Sequence, residues 1–185
     1  ALRRAGAAAD GSVVDAALRS PDAAVRAAGL RALPPEHAAL DLTAARAHFD
    51  DDDEGVRAAL LDAVRRRAVA VAVAGAIVDD AGAPPALRAA AVQALGAGDG
   101  GVDPRVLGCL RDPSEEVALE ALRALQEAAP EGELAAALAH PSPVVRAEVA
   151  QRLSPERDRG ALAARLRDEG DPGVREVIEA RLRVA

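Results

Sequence analysis

Val25-Arg26-Ala27-Ala28-Gly29-Leu30-Arg31-Ala32-Leu33 is the stretch that decides the fold, because its skeleton recurs down the whole chain. Copies start at Val25, Val56, Leu87, Val117, Val145 and Val174, at intervals of 31, 31, 30, 28 and 29 residues. Arginine follows the first apolar residue as Arg26, Arg57, Arg88, Arg146 and Arg175; the fourth copy has Ala118 instead. Four on stand Gly29, Leu60, Ala91, Ala121, Val149 and Ile178, and eight on Leu33, Val64, Leu95, Leu125, Leu153 and Leu182. Seven on, alanine fills four copies and Arg152 and Arg181 the last two. Offsets of zero, four, seven and eight share one face of a helix. A period of about 30 residues is the signature of a solenoid of stacked helical units.

Each unit needs a first helix before the recurring second one. The sequence predicts these over 12–19, 35–49, 66–79, 104–111, 131–139 and 155–168. Leu18, Phe49, Leu110 and Leu138 close their helices seven residues before the next copy starts. Pro34 and Pro35 separate two units, and Pro104 and Pro155 open first helices. Val69, Val71 and Val73 alternate with alanine as a strand would, but their register in the repeat favours helix. The expected architecture is all-α, an α-α superhelix of about six helix pairs in a single domain over 1–185. Repeats fall at about 11–33, 34–65, 66–97, 102–128, 131–154 and 155–185. Residues 1–10 read as the tail of a preceding repeat, since Leu2 stands 31 residues before Leu33.

Composition narrows the function. Half of the 185 residues are apolar, yet Phe49 is the only aromatic and there is no Met, Trp or Tyr. Alanine and leucine favour helix, and the core must come from thin helices packed closely. A net charge of −7 argues against a nucleic-acid or anionic-membrane surface. One cysteine, Cys109, excludes an internal disulfide framework. No secretory signal and no membrane-length apolar run stands out, so the expected compartment is cytoplasmic.

The pattern Asp-Pro-x-x-x-Val-Arg-x-x-Ala-x-x-Ala-Leu resembles HEAT repeats, particularly the short HEAT-like kind first described in phycobilisome lyases. Asp112-Pro113 with Val117, Ala121 and Leu125 meets it here, and the other copies do so more loosely. The resemblance implies a right-handed superhelix with second helices on its concave face. It also implies a ladder in which each arginine meets an acidic residue six positions before it. Those positions are Ser20, Asp51, Gly82, Asp112, His140 and Glu169, so Arg57 is expected to bridge the Asp51 carboxylate and turn carbonyls, and the ladder to be broken elsewhere.

Other candidates have plainer readings. The arginine row (Arg26, Arg57, Arg88, Arg146 and Arg175) could hold anions, but a structural ladder with Asp51 and Asp112 is favoured, stems packed between repeats and heads on loop carboxylates and carbonyls. The acids from Asp50 to Glu54 lack the spacing that wraps Ca²⁺ and suit a helix N-cap. His37, His48 and His140 fall in different repeats, and no pair has zinc spacing. Cys109 is expected in the core. Arg65, Arg66 and Arg67 suit a solvated turn. No metal or cofactor is therefore expected.

The expected function is a non-catalytic protein–protein interaction scaffold that takes a protein or peptide on its concave face. Offsets two, three and six of the second helices are the expected exposed positions, chiefly Arg31, Asp62, Gln93, Glu120, Arg123 and Gln151. Alanines at offsets two and three give the early repeats a flat surface. The alternative is a lyase- or chaperone-type subunit, or a regulatory module of a larger enzyme. A base-handling enzyme of the DNA-glycosylase kind would need a basic groove with aromatic residues, and both are missing.

Overall fold

The computed structural model describes residues 11–96, 103–125 and 132–183. Among them there are twelve α-helices and no strand. The chain divides into two compact units, Ala1–Gly98 and Asp99–Ala185. The first holds α1 (Gly11–Leu18), α2 (Ala23–Ala32), α3 (Leu42–Phe49), α4 (Glu54–Arg65), α5 (Val71–Asp79) and α6 (Pro85–Gly96). The second holds α7 (Pro104–Gly108), α8 (Glu115–Leu125), α9 (Glu133–Ala136), α10 (Pro143–Arg152), α11 (Arg159–Asp168) and α12 (Pro172–Arg183). Short 3₁₀ turns, Cys109–Arg111 and Ala137–Ala139, extend α7 and α9. The expected tail over 1–10 lies outside the described residues.

Within each unit the even-numbered helices pack in series, α2 on α4 on α6 and α8 on α10 on α12. Each also packs against the first helix of its own pair or that helix's 3₁₀ extension. The starts of the second helices are set by short polar side chains in the turn. Asp22 accepts from the Ala24 amide at 2.8 Å, Asp53 from Val56 at 3.1 Å, Ser142 from Val144 at 3.1 Å and Asp171 from Val174 at 3.0 Å. Each satisfies an amide that the first turn leaves without a partner.

Burial follows the repeat register with three departures. Offset four is buried in all six copies, and offset eight in five, with Leu182 half-buried. Offset five is a core position in four copies that the sequence frame leaves out: Leu30, Val92, Leu122 and Ala150 are sealed from water, while Leu61 is half-buried and Glu179 exposed. Second, Val25 is 40% exposed although Val56, Leu87, Val117 and Val145 at the same offset are sealed. Third, Ala27, Ala59, Ala89 and Ala90 at offsets two and three are buried, so the expected flat alanine surface is largely interior. A methyl group is short enough for the adjoining helix of the series to cover it, which a longer side chain would prevent.

Among the first helices α3, α5 and α11 start later than expected, whereas α1 and α7 with its 3₁₀ extension keep their expected lengths. Over 35–41 the backbone turns, with Glu36 at φ 55°, and the Glu36 and His37 amides donate to the carbonyls of Arg67 and Ala68, both at 2.8 Å. Those bonds replace helical ones, and α3 begins only where Asp41 accepts from the Ala44 amide. Arg67, at φ 60°, likewise stops α4 and delays α5 until Val71. The valine alternation is therefore helical from Val71, while Val69 is a buried turn residue. Pro155 to Arg157 form a turn before α11. Cys109 is buried, as is Leu110 beside it.

Candidate functional site

The one position exposed on every second helix is offset six: Arg31, Asp62 and Gln93 in the first unit, and Arg123, Gln151 and Ala180 in the second. Offset six stands near offset four, buried in every copy, and offset eight, buried in five, so these side chains rise beside packed positions. Glu120 is half-buried, not exposed, and accepts from Arg123 Nη1 at 2.9 Å. Asp62 is paired one turn on with Arg66 at 2.8 Å. Of the expected contact residues, Arg31, Gln93 and Gln151 thus stand outside those pairs, and the three others form two local ion pairs.

The arginine row is built by a different rule from the expected ladder. Each arginine donates to one or more backbone carbonyls just before its own helix, through Nη1 in Arg26, Arg57, Arg146 and Arg175 and through Nε in Arg88. Arg26 meets the Ser20 and Pro21 carbonyls, both at 2.9 Å. Arg57 meets those of Asp51 at 2.6 Å and Asp52 at 3.1 Å. Arg146 meets those of His140 at 2.9 Å and Pro141 at 2.7 Å. Arg175 meets the Glu169 carbonyl at 3.1 Å and the Leu166 carbonyl at 2.9 Å. Arg88 donates from Nε to the Ala83 carbonyl at 3.2 Å. The carboxylates come from the next turn along. Asp51 is gripped by both fork nitrogens of Arg26, at 2.8 and 2.9 Å, and not by Arg57. Glu169 is gripped in the same way by Arg146, at 2.8 Å twice. Two parallel N–H···O bonds to a carboxylate suit a guanidinium and no other side chain.

Electrostatics sharpen the two grips. The Arg26 fork holds the Asp51 carboxyl below the usual carboxylate range. Arg146, with help from Arg165 at 2.8 Å, holds Glu169 far below it despite the opposing effect of burial. The Glu169 residue is only 4% exposed. Asp51 and Asp53 are thus engaged by an ion pair and a helix cap, and among the described residues no three His, Cys, Asp or Glu side chains cluster as a metal site would require.

Where the arginine is missing, at Ala118, a histidine from the next turn takes its acceptor. His140 Nε2 lies 2.7 Å from the Asp112 carbonyl, the oxygen that an arginine at 118 would meet. His140 Nδ1 accepts from the Ser142 amide at 3.0 Å, so Nε2 carries the proton and donates. The Asp112 carboxylate meanwhile accepts from the Ser114 amide at 2.9 Å. Sequence reasoning treated this position as a break in the row.

A second set of arginines was also missed. Arg66 Nη2 donates to the Leu30 carbonyl at 3.4 Å, Arg181 Nη2 to that of Leu153 at 2.6 Å, and Arg152 to that of Leu122. Each reaches a carbonyl in or beside the last turn of the preceding second helix, where carbonyls outrun the helix's own donors; the Leu30 carbonyl also takes the Leu33 amide at 3.4 Å. For Arg152 and Arg181 the signal was present, as arginines displacing alanine at offset seven, whereas Arg66 stands at offset ten; only packing shows what the three reach.

Among the described residues no helix is long and apolar enough to cross a membrane. No protein-family model matches the chain, and no curated protein matches it either.

Proposed function

We propose that this chain is a non-catalytic binding scaffold, a HEAT-type array of helix pairs that holds a protein or peptide partner on its second helices. The observation that carries this reading is the offset-six row: Arg31, Asp62, Gln93, Arg123 and Gln151 stand exposed over packed neighbours. Such side chains can change without disturbing the core, and helix faces of this kind take helices or extended peptides. The two arginine sets support a structural purpose for most of the basic residues, since their heads are occupied by backbone oxygens and carboxylates. No cofactor, metal or nucleic acid enters this reading.

The test uses photo-crosslinking side chains at Gln93 and Gln151 in the full chain to identify the partner. Binding of that partner is then measured to Arg31→Glu/Gln93→Glu/Gln151→Glu and to a control altered just after α1 and on α3, Arg19→Glu/Ala47→Glu. Loss of at least about tenfold in the first variant alone, at an unchanged melting temperature, is the expected result; charged contacts at an interface commonly carry this much. Loss confined to the first-helix control would overturn the proposal.

A further inference from the structure

In the second unit α8, α10 and α12 lie side by side in that order. The position just before each repeat start stands two turns ahead of offset six, and offset two stands one turn ahead of it, so all three share a helix face. Across the three helices this face carries Glu116, Val144 and Glu176. Both glutamates are exposed. Val144, on the helix between them, is 51% exposed. Its counterparts in the other copies are Ala24, Gly55, Ala86, Glu116 and Gly173, so a large apolar residue stands there in one copy alone. No basic residue lies three or four positions from Glu116 or Glu176, and among the described residues neither carboxylate is in an ion pair. The other acids of the face are taken up, Glu120 by Arg123 and Glu148 by Arg152. What remains is two uncompensated carboxylates astride one exposed apolar side chain.

We propose that this face takes an extended peptide with a basic residue on each side of an apolar one. The inference rests on the scaffold reading above and names the chemistry of its partner. An exposed carboxylate without a cation attracts an ammonium or guanidinium and repels an acidic partner. Packed helices stand roughly 8–10 Å apart, which separates α8 from α12 by roughly 16–20 Å. An extended chain rises about 3.3 Å per residue, so it spans that distance in about five or six residues and sets its middle residue over Val144. A helical partner is a poorer fit. Helix-in-groove recognition uses apolar anchors repeated along one face, and this surface offers one large exposed apolar residue.

The probe is a fluorescein-labelled peptide, Gly-Ser-Arg-Ala-Ala-Leu-Ala-Ala-Arg-Ser-Gly, titrated with the full chain and followed by anisotropy. Three relatives are compared with it: one with glutamate for both arginines, one with serine for leucine, and one with the arginines drawn in to flank the leucine directly. The expected result is saturable binding of the first peptide and binding weaker by about threefold or more for each of the others. Glu116→Gln/Glu176→Gln should weaken binding of the first peptide by about fivefold or more, and Val144→Ser by about threefold. Glu133→Gln/Asp168→Asn removes as much charge from the first helices and should leave binding unchanged. All of these variants should melt as the parent does, since they keep side-chain shape or lie at exposed positions. No saturation, equal binding of the spread and drawn-in peptides, or an equal loss in the first-helix control would each overturn the proposal. So would self-association abolished by Glu116→Gln/Glu176→Gln, which would make a second copy the occupant. A partner crosslinked at Gln151 but indifferent to Glu116→Gln/Glu176→Gln would overturn this inference and leave the scaffold reading standing.

Discussion

Arg57 and Arg146 occupy the same offset and do unequal amounts of structural work. Arg57 closes its own turn through two carbonyls, whereas Arg146 closes its turn and also neutralises a buried carboxylate from the next one. Arg146→Ala should therefore cost about 3 kcal/mol, toward the lower end for breaking a buried pair because Arg165 still holds Glu169. Arg57→Ala should cost about 1–2 kcal/mol, and Arg31→Ala, at an exposed offset, no more than about 0.5 kcal/mol. Urea midpoints of the three variants check the ranking; equal losses would show that the row is not graded by what it holds. Ala118→Arg alone should compete with His140 for the Asp112 carbonyl, and His140→Asp alone should bury an acid without its arginine. Together they rebuild the grip seen at Arg26 and Asp51, so a double-mutant cycle should show favourable coupling of at least about 1 kcal/mol. The arginines were legible in the sequence, but their partners were not. Spacing brings a residue into a turn without saying whether its carbonyl or its carboxylate faces the arginine, and here the two ends of Asp51 serve different arginines.

At the level of the helix, Gly29 marks the closest approach of α2 to α1. A Cβ there would stand 3.0 Å from that of Ala17 and 3.3 Å from the backbone at Ala17 and Leu18. Gly29→Ala should gain helix propensity of about 1 kcal/mol yet lose about 1–3 kcal/mol to overpacking, for a net destabilisation. Gly108, near the end of α7, has nothing within 4 Å of a built Cβ, so Gly108→Ala should stabilise by about 0.4–1 kcal/mol. Opposite shifts in the melting temperatures of the two variants would confirm that approach, and not glycine content, sets the effect. The second helices could be read from the sequence because capping residues and a long apolar period agree. The first helices could be placed but not bounded. Short alanine-rich segments carry little periodicity, and the loop-to-loop bonds of Glu36 and His37 with Arg67 and Ala68 join residues far apart in sequence.

For the molecule as a whole, acid should act on the two units in different pH ranges. Burial lowers the His48 pKa from its ordinary 6.5. The unfolded chain then takes up a proton more readily than the folded one, so stability present above pH 6.5 declines as pH falls from there toward the folded value. Glu169 has its pKa lowered from 4.5, so its contribution stays intact above that value and is lost only below it. Asp51 behaves in the same sense from 3.8. Hydrogen exchange between pH 7 and 5 should therefore show protection falling in 11–96 before it falls in 132–183. His48→Gln should remove the early loss. Simultaneous loss in both segments, unchanged by His48→Gln, would contradict the assignment. The repeat register and helical composition that led to an all-α reading were visible in the sequence, whereas the division into two units was not, because the repeat period runs through both.

The histidine that reaches back to Asp112 ties two neighbouring modules into a single heritable unit. A repeat with alanine at position 118 tolerates the next repeat only if that one brings His140, or something else able to donate to the same carbonyl. Exchange of modules by recombination is therefore unequal along the chain. Replacing the segment that carries Ala118 by one that carries arginine would strand His140 beside an occupied acceptor, whereas moving 112–142 as one block carries the substitution and its remedy together. The lineage of this array is expected to have lost or gained those two residues as a pair, and chimeras cut between them should fold less well than chimeras cut outside them.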